Sequence, residues 1–95
     1  MKSSIKKINE LKNKCNEIDI DKQTVKERIA NNLHELRRKK KLSQEDVAEI
    51  LEISRTSVGR HEQFSSPDIP SILHLLKYAK LYDSTLDYIA GSQKS

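Results

Sequence analysis

The segment from Arg55 to Gln63 carries two arginines, a threonine and a glutamine, side chains whose donors and methyl group suit the edges of nucleobases. If it is helical, at about 100° per residue Arg55, Thr56, Gly59, Arg60 and Gln63 share one arc about 140° wide, with no acid on it. Val58, His61 and Glu62 fall outside that arc, and Ser57 lies near the boundary. Arginine can span O6 and N7 of guanine with two hydrogen bonds, worth roughly 1–3 kcal/mol of discrimination, and a threonine methyl can meet the methyl of thymine. The plainer alternative is a solvated polar face on a structural helix. Gly59 is odd there, since glycine costs about 1 kcal/mol relative to alanine inside a helix. Either it admits a backbone close to a base or phosphate, or it is a tolerated exposed glycine.

Other chemistries find no foothold. Cys15 is the one cysteine, so neither an intrachain disulfide nor a thiolate metal site can form. His34, His61 and His74 match no metal-ligand spacing. No nucleophile constellation, paired catalytic carboxylates or phosphate-cradling glycine loop is present, so the expectation is a protein that is not an enzyme and needs no cofactor or metal. The 95 residues allow one small domain, and two glycines with two prolines are too few for the turns of an all-β chain. Eighteen basic against fourteen acidic residues give a net charge of +4, compatible with a polyanionic partner but no proof of one. No apolar run approaches the ~18 residues a membrane span needs, and the start lacks the apolar core of a secretory signal, so a cytoplasmic protein without a membrane partner is expected.

Helices must position the arc. In residues 1–24, Ile5, Ile8, Leu11, Cys15 and Ile18 recur three or four apart, the period of an amphipathic helix too short for a convincing coiled coil. Such a helix packs on its own domain or on a partner; a mobile arm is the alternative. Thr24 with Glu27 forms a capping box that starts a new helix. The chain therefore divides into an extension over 1–24, a domain over 25–91 and a tail over 92–95. Val25, Ile29, Leu33 and Leu36 give one helix face running into the basic block 37–41. Ser43 and Ser54 cap two short helices carrying Val47, Ala48, Ile50 and Leu51, then Val58. Pro70 sits in the first turn of a fourth helix with Ile72, Leu75, Leu76 and Ala79. A fifth follows the Ser84–Thr85 cap, carries Leu86 and Ile89 and stops at Gly91.

Two short helices, a tight turn at Ile53, a small residue at Ala48 and inward Val58 make a helix-turn-helix. With Leu42, Gln44, Arg60, Glu62, Leu75–Leu76, Tyr78–Ala79 and Leu86–Asp87 at their spacings, residues 25–91 resemble the Cro/repressor (Xre-type) helix-turn-helix family of bacterial and phage transcriptional regulators. The resemblance implies an all-α, five-helix, lambda-repressor-like DNA-binding domain, here with an additional N-terminal helical segment. It places base reading at Arg55, Thr56 and Arg60, with Gly59 among them on the arc. Ser43, Gln44, Ser54, Arg38, Lys40, Lys41 and Gln63 are expected at phosphates. Arg37 is expected to turn inward and pair with Glu62. Tyr82, Leu86, Tyr88 and Ile89 are candidates for a homodimer contact, core packing being the alternative for the tyrosines.

The chain departs from that family at its glycines. Lys41, Glu52, Phe64 and Asp83 stand where glycine is usual, so each has to take a positive φ or the turn differs. The loop after Glu62 is also longer than usual. The expected function is sequence-specific binding of double-stranded DNA, as a dimeric repressor reading a palindromic operator. The alternative is an antitoxin or interaction subunit that also binds DNA, with residues 1–24 docking a partner protein.

Overall fold

The computed structural model describes residues 2–15 and 21–91, and these form six helices and no strand. They are α1 (Lys2–Cys15), α2 (Lys22–Lys39), α3 (Gln44–Leu51), α4 (Arg55–His61), α5 (Ile72–Leu81) and α6 (Leu86–Ala90). Ile18 and the tail 92–95 lie outside the described residues.

Each of the five domain helices starts on a local signal. Asp21, Ser43, Ser54, Ser71 and Thr85 accept, through their side chains, the backbone N–H three residues on. These bonds satisfy donors that the first helical turn leaves open. Two starts differ from expectation. Thr24 does not cap α2; it donates its own N–H to Asp21 (3.3 Å), because the acid three residues upstream begins the helix earlier. Pro70 precedes the cap Ser71 and so stands outside α5, buried at its entrance.

The helix ends carry the strain. α2, α3 and α5 each finish with paired bonds, Leu42 N–H to Arg37 O with Lys41 N–H to Arg38 O, Ile53 to Ala48 with Glu52 to Glu49, and Ser84 to Ala79 with Asp83 to Lys80. This is the Schellman pattern, whose penultimate residue takes the left-handed region. Here those residues are Lys41 (φ 59°), Glu52 (φ 58°) and Asp83 (φ 53°), three of the four positions where the sequence lacks an expected glycine. Phe64 has no positive φ: the longer loop turns through Ser66 N–H to Gln63 O instead. Gly91 also ends α6 without a left-handed φ, but a Cβ there would stand 2.6 Å from the Asp87 carbonyl oxygen, which only glycine permits.

The core gathers Ile29, Leu33, Val47, Ala48, Leu51, Val58, Leu75, Tyr78, Tyr82 and Ile89. Full burial of such a side chain contributes about 1.5–3 kcal/mol, and Ala48 lets α3 and α4 cross closely. Tyr78 and Tyr82 stack with centroids 6.1 Å apart. His61, 6% exposed, bonds the Tyr78 hydroxyl (2.8 Å); burial first, then His74 and Lys26, push its pKa down to about 4, so it packs as a neutral ring. By contrast every α1 side chain from Ser4 to Cys15 is exposed.

Because an L-residue in the left-handed region costs about 1–2 kcal/mol, partly offset by the greater unfolded freedom of glycine, Glu52→Gly is expected to stabilise the domain by about 0.5–1 kcal/mol. Asp tolerates this region better, so Asp83→Gly gains less. Chemical unfolding of the two variants beside the parent chain checks the ranking, and a destabilised Glu52→Gly would contradict it.

Candidate nucleic-acid interface

α4 is held from three sides. Val58 (0% exposed) plugs it into the core, Ser54 closes its amino end, and Glu62 follows its last turn. The Glu62 carboxylate, only 3% exposed, accepts from Arg37 Nε at 3.1 and 2.9 Å and from Gln44 Nε2 at 3.4 Å, and meets His34 Nδ1 at 3.3 Å. Arg37 also donates Nη1 to the Leu42 carbonyl (2.9 Å), tying the end of α2 to the turn before α3. Hydrogen bonding to Glu62 raises the Arg37 pKa above its ordinary value, so the guanidinium stays charged. Arg37 and Glu62 thus meet inside the fold, leaving the neighbouring arc to face outward.

That arc is intact in three dimensions. Arg55, Thr56, Gly59, Arg60 and Gln63 line one open depression together with Gln44, His34 and Glu62. Arg55, Thr56, Arg60 and Gln63 are exposed and Gly59 is half-buried. Gly59 is not demanded by the chain itself, since a Cβ there would lie 3.7 Å from Gln44 Oε1, an ordinary contact.

The expected phosphate contacts divide. Gln44 and Gln63 join the depression; Ser43, Ser54, Arg38, Lys40 and Lys41 do not line it. The Ser43 and Ser54 hydroxyls serve as caps, accepting from Asp46 and Ser57 N–H (both 3.0 Å). The Ser43 N–H donates to Asp46 Oδ2 (3.0 Å), which holds that carboxyl below its usual range. The amino end of α3, a natural phosphate seat, therefore already holds a carboxylate. Arg38 is exposed and lies 3.8 Å from Glu35, while Lys40 and Lys41 face solvent.

The proposed dimer surface needs correction. Tyr82 (6% exposed) and Ile89 (0%) are buried in this chain's own core, and Leu86 packs half-buried against it, because α6 lies flat on α2 and α5. Tyr88, 44% exposed, is the one of the four that faces outward. Ile50, Ile72, Leu73 and Leu76 are among the exposed apolar side chains of the domain.

Three groups near the arc come from outside α4. Glu45 of α3 lies 3.7 Å from Arg55, and Asp68 of the loop lies 3.5 Å from Arg60, so the acid-free arc gains acids from flanking elements. A helical projection of α4 alone contains no signal for either. Lys26, 1% exposed, donates Nζ to the carbonyls of Arg60 (2.7 Å), His61 (3.3 Å) and Asp68 (2.7 Å), and burial lowers its pKa. Its position three before Ile29 and seven before Leu33, on the apolar face, was a signal available in the sequence. Among the described residues no group of His, Cys, Asp or Glu could hold a metal ion, and no helix is long and apolar enough to cross a membrane.

Comparison with known proteins bears on this geometry. A family model described as helix-turn-helix matches residues 33–89. An uncharacterized HTH-type transcriptional regulator, YobD, of Bacillus subtilis (strain 168) is 39% identical over 59 residues, covering 62% of this chain and 51% of the relative. The chain thus spans about half the length of that curated relative. No solved structure gives a significant match.

Removing one partner of a buried ion pair strands the other charge, so Arg37→Met is expected to cost about 3 kcal/mol of stability. Adding Glu62→Met to it should recover part of that loss, since no buried charge then remains. Urea unfolding of both variants measures the two effects; an Arg37→Met loss below about 1 kcal/mol, typical of an exposed pair, would refute the role given to Glu62.

Proposed function

The chain belongs to the Cro/repressor (Xre-type) helix-turn-helix family, and on that premise we propose that it is a sequence-specific double-stranded DNA-binding transcriptional regulator. The observation that carries this reading is the outward arc of α4, which sets Arg55, Thr56, Arg60 and Gln63 beside Gln44 on one open face. α4 is the recognition helix in the major groove, Arg55 and Arg60 read guanines, and Thr56 reads a thymine methyl. Gly59, between them, lets the helix backbone approach the bases. Gln44, Gln63, Arg38, Lys40 and Lys41 supply contacts to the phosphate backbone, which position the helix without reading sequence, while Ser43 and Ser54 serve as caps. The working form is a homodimer on a palindromic operator, its two copies of α4 about 34 Å apart. It acts as a repressor by occupancy, with no chemistry, in the cytoplasm where its DNA lies.

One feature favours a second role alongside this one. Ile5 (62% exposed), Ile8 (52%) and Leu11 (53%) leave an apolar stripe uncovered on α1. Such a stripe on an amphipathic helix suits docking of a partner protein, as in an antitoxin.

Fluorescence anisotropy with duplexes selected from a randomised pool tests the main reading. Arg55→Ala and Arg60→Ala are each expected to cost about 1–3 kcal/mol on the selected duplex and to relax discrimination at one base pair. Undiminished preference in both variants, or no preference in the parent chain, would refute it. For the second role, deletion of residues 1–20 spares the Asp21 cap and is expected to leave DNA affinity within about threefold. The same deletion should abolish co-purification with the product of a neighbouring toxin-like gene; retained co-purification would remove α1 as the docking element.

A further inference from the structure

Arg60 and Asp68 belong to different elements, yet one buried charge ties their backbones together. The Lys26 ammonium, held within 1% exposure, donates to the Arg60 carbonyl and to the Asp68 carbonyl, both at 2.7 Å, and to the His61 carbonyl at 3.3 Å. A cation removed from water is tolerated only when its donors are used, and here three carbonyls use them. The lysine therefore closes the carboxyl end of α4 and pins the loop beside it. Asp68 is fixed a second time by its N–H, which donates to Ser66 Oγ (3.2 Å). The outcome is a carboxylate Oδ2 standing 3.5 Å from Nη1 of Arg60, on the rim of the arc.

A guanidinium has donors on more than one edge, and reading a guanine takes only two of them. A carboxylate at Nη1 restrains the plane of the group and leaves the Nε–H and Nη2–H pair free. It also opposes capture of the arginine by a phosphate, since the approaching phosphate meets a like charge. We propose that Asp68, seated by Lys26, is a specificity-determining positioning residue that aims Arg60 at its base and suppresses its use as a phosphate contact. This rests on the DNA-reading function proposed above and deepens it. Glu45, 3.7 Å from Arg55 Nε, places a carboxylate beside the other arginine of the arc.

The pair is exposed, 60% at Arg60 and 52% at Asp68, so its removal should barely alter folding. That makes Asp68→Asn in the full chain the decisive variant. The probes are a duplex that the parent chain selects from a randomised pool, its single-base-pair variants, and a shuffled duplex of equal composition, all at one salt concentration. Arg60→Ala first identifies the base pair that Arg60 reads. Asp68→Asn is then expected to lower discrimination at that base pair about two- to fivefold. It should also raise affinity for the shuffled duplex about twofold, as one repelling charge has gone. In the Arg60→Ala background, Asp68→Asn should change nothing further at that base pair. A structural defect would instead weaken both duplexes together. Lys26→Met is expected to reproduce the loss of discrimination with a lower melting temperature; the Asp68 variant decides the matter if Lys26→Met does not fold. Unchanged discrimination in Asp68→Asn, or an equal loss at every base pair, overturns the proposal while the DNA-reading function stands. A parent chain that selects no duplex removes the DNA-reading function and the proposal with it.

Discussion

The Glu62 carboxylate is the constraint on which the rest of the domain depends. It sits at the end of α4, almost wholly buried, and takes hydrogen bonds from Arg37 of α2 and Gln44 of α3. A buried carboxylate without such partners would cost far more than a small domain can supply, so α2, α3 and α4 must come together for it to be tolerated. The same geometry dictates which way α4 faces. With Glu62, His61 and Val58 turned inward, Arg55, Thr56 and Arg60 are left on the outside. Gln44 belongs to both worlds, bonded to Glu62 on one side and lining the open depression on the other.

α2 also works as a strut for the carboxyl ends of the short helices. Lys26 closes α4, and Asn32 donates to the Tyr88 and Ile89 carbonyls near the end of α6 (3.0 and 3.1 Å), with Arg28 reaching Ala90 (3.3 Å). α3 is closed in the same way from α5, by Lys77 to the Leu51 carbonyl (3.1 Å). Cationic donors at these ends satisfy open carbonyls and oppose the helix dipole. Helices of five to eight residues would not persist alone in water. α4 and α6 gain their stability by packing on α2, and α3 by packing on α4 and α5, which is why the polar residues of α2 matter as much as its apolar ones.

Against that economy stand three strained turns. Lys41, Glu52 and Asp83 hold left-handed backbones that glycine would adopt at lower cost. Each is followed by a residue whose N–H reaches back to the helix, and two of those followers, Leu42 and Ile53, pack on the core. Burial of the follower and the paired hydrogen bonds outweigh the local penalty. Phe64 escapes it because its longer loop is fastened elsewhere, through Lys26 to Asp68.

The features legible from the chain alone were the short-range ones. The caps at Ser43 and Ser54 act over three residues, and the apolar period of Val25, Ile29, Leu33 and Leu36 repeats within one helix, so neither needs knowledge of the rest of the molecule. The arc of α4 follows from helical geometry in the same way. What only tertiary structure decided were the contacts between residues distant in the chain: Lys26 with Arg60, 34 positions apart; Asn32 with Tyr88, 56 apart; and the acids Glu45 and Asp68 beside their arginines. It also decided that Tyr82 and Ile89 fill the core instead of facing a second copy. A hydrogen bond within a turn is encoded by spacing, whereas a donor closing a distant helix end is encoded only by how the helices pack.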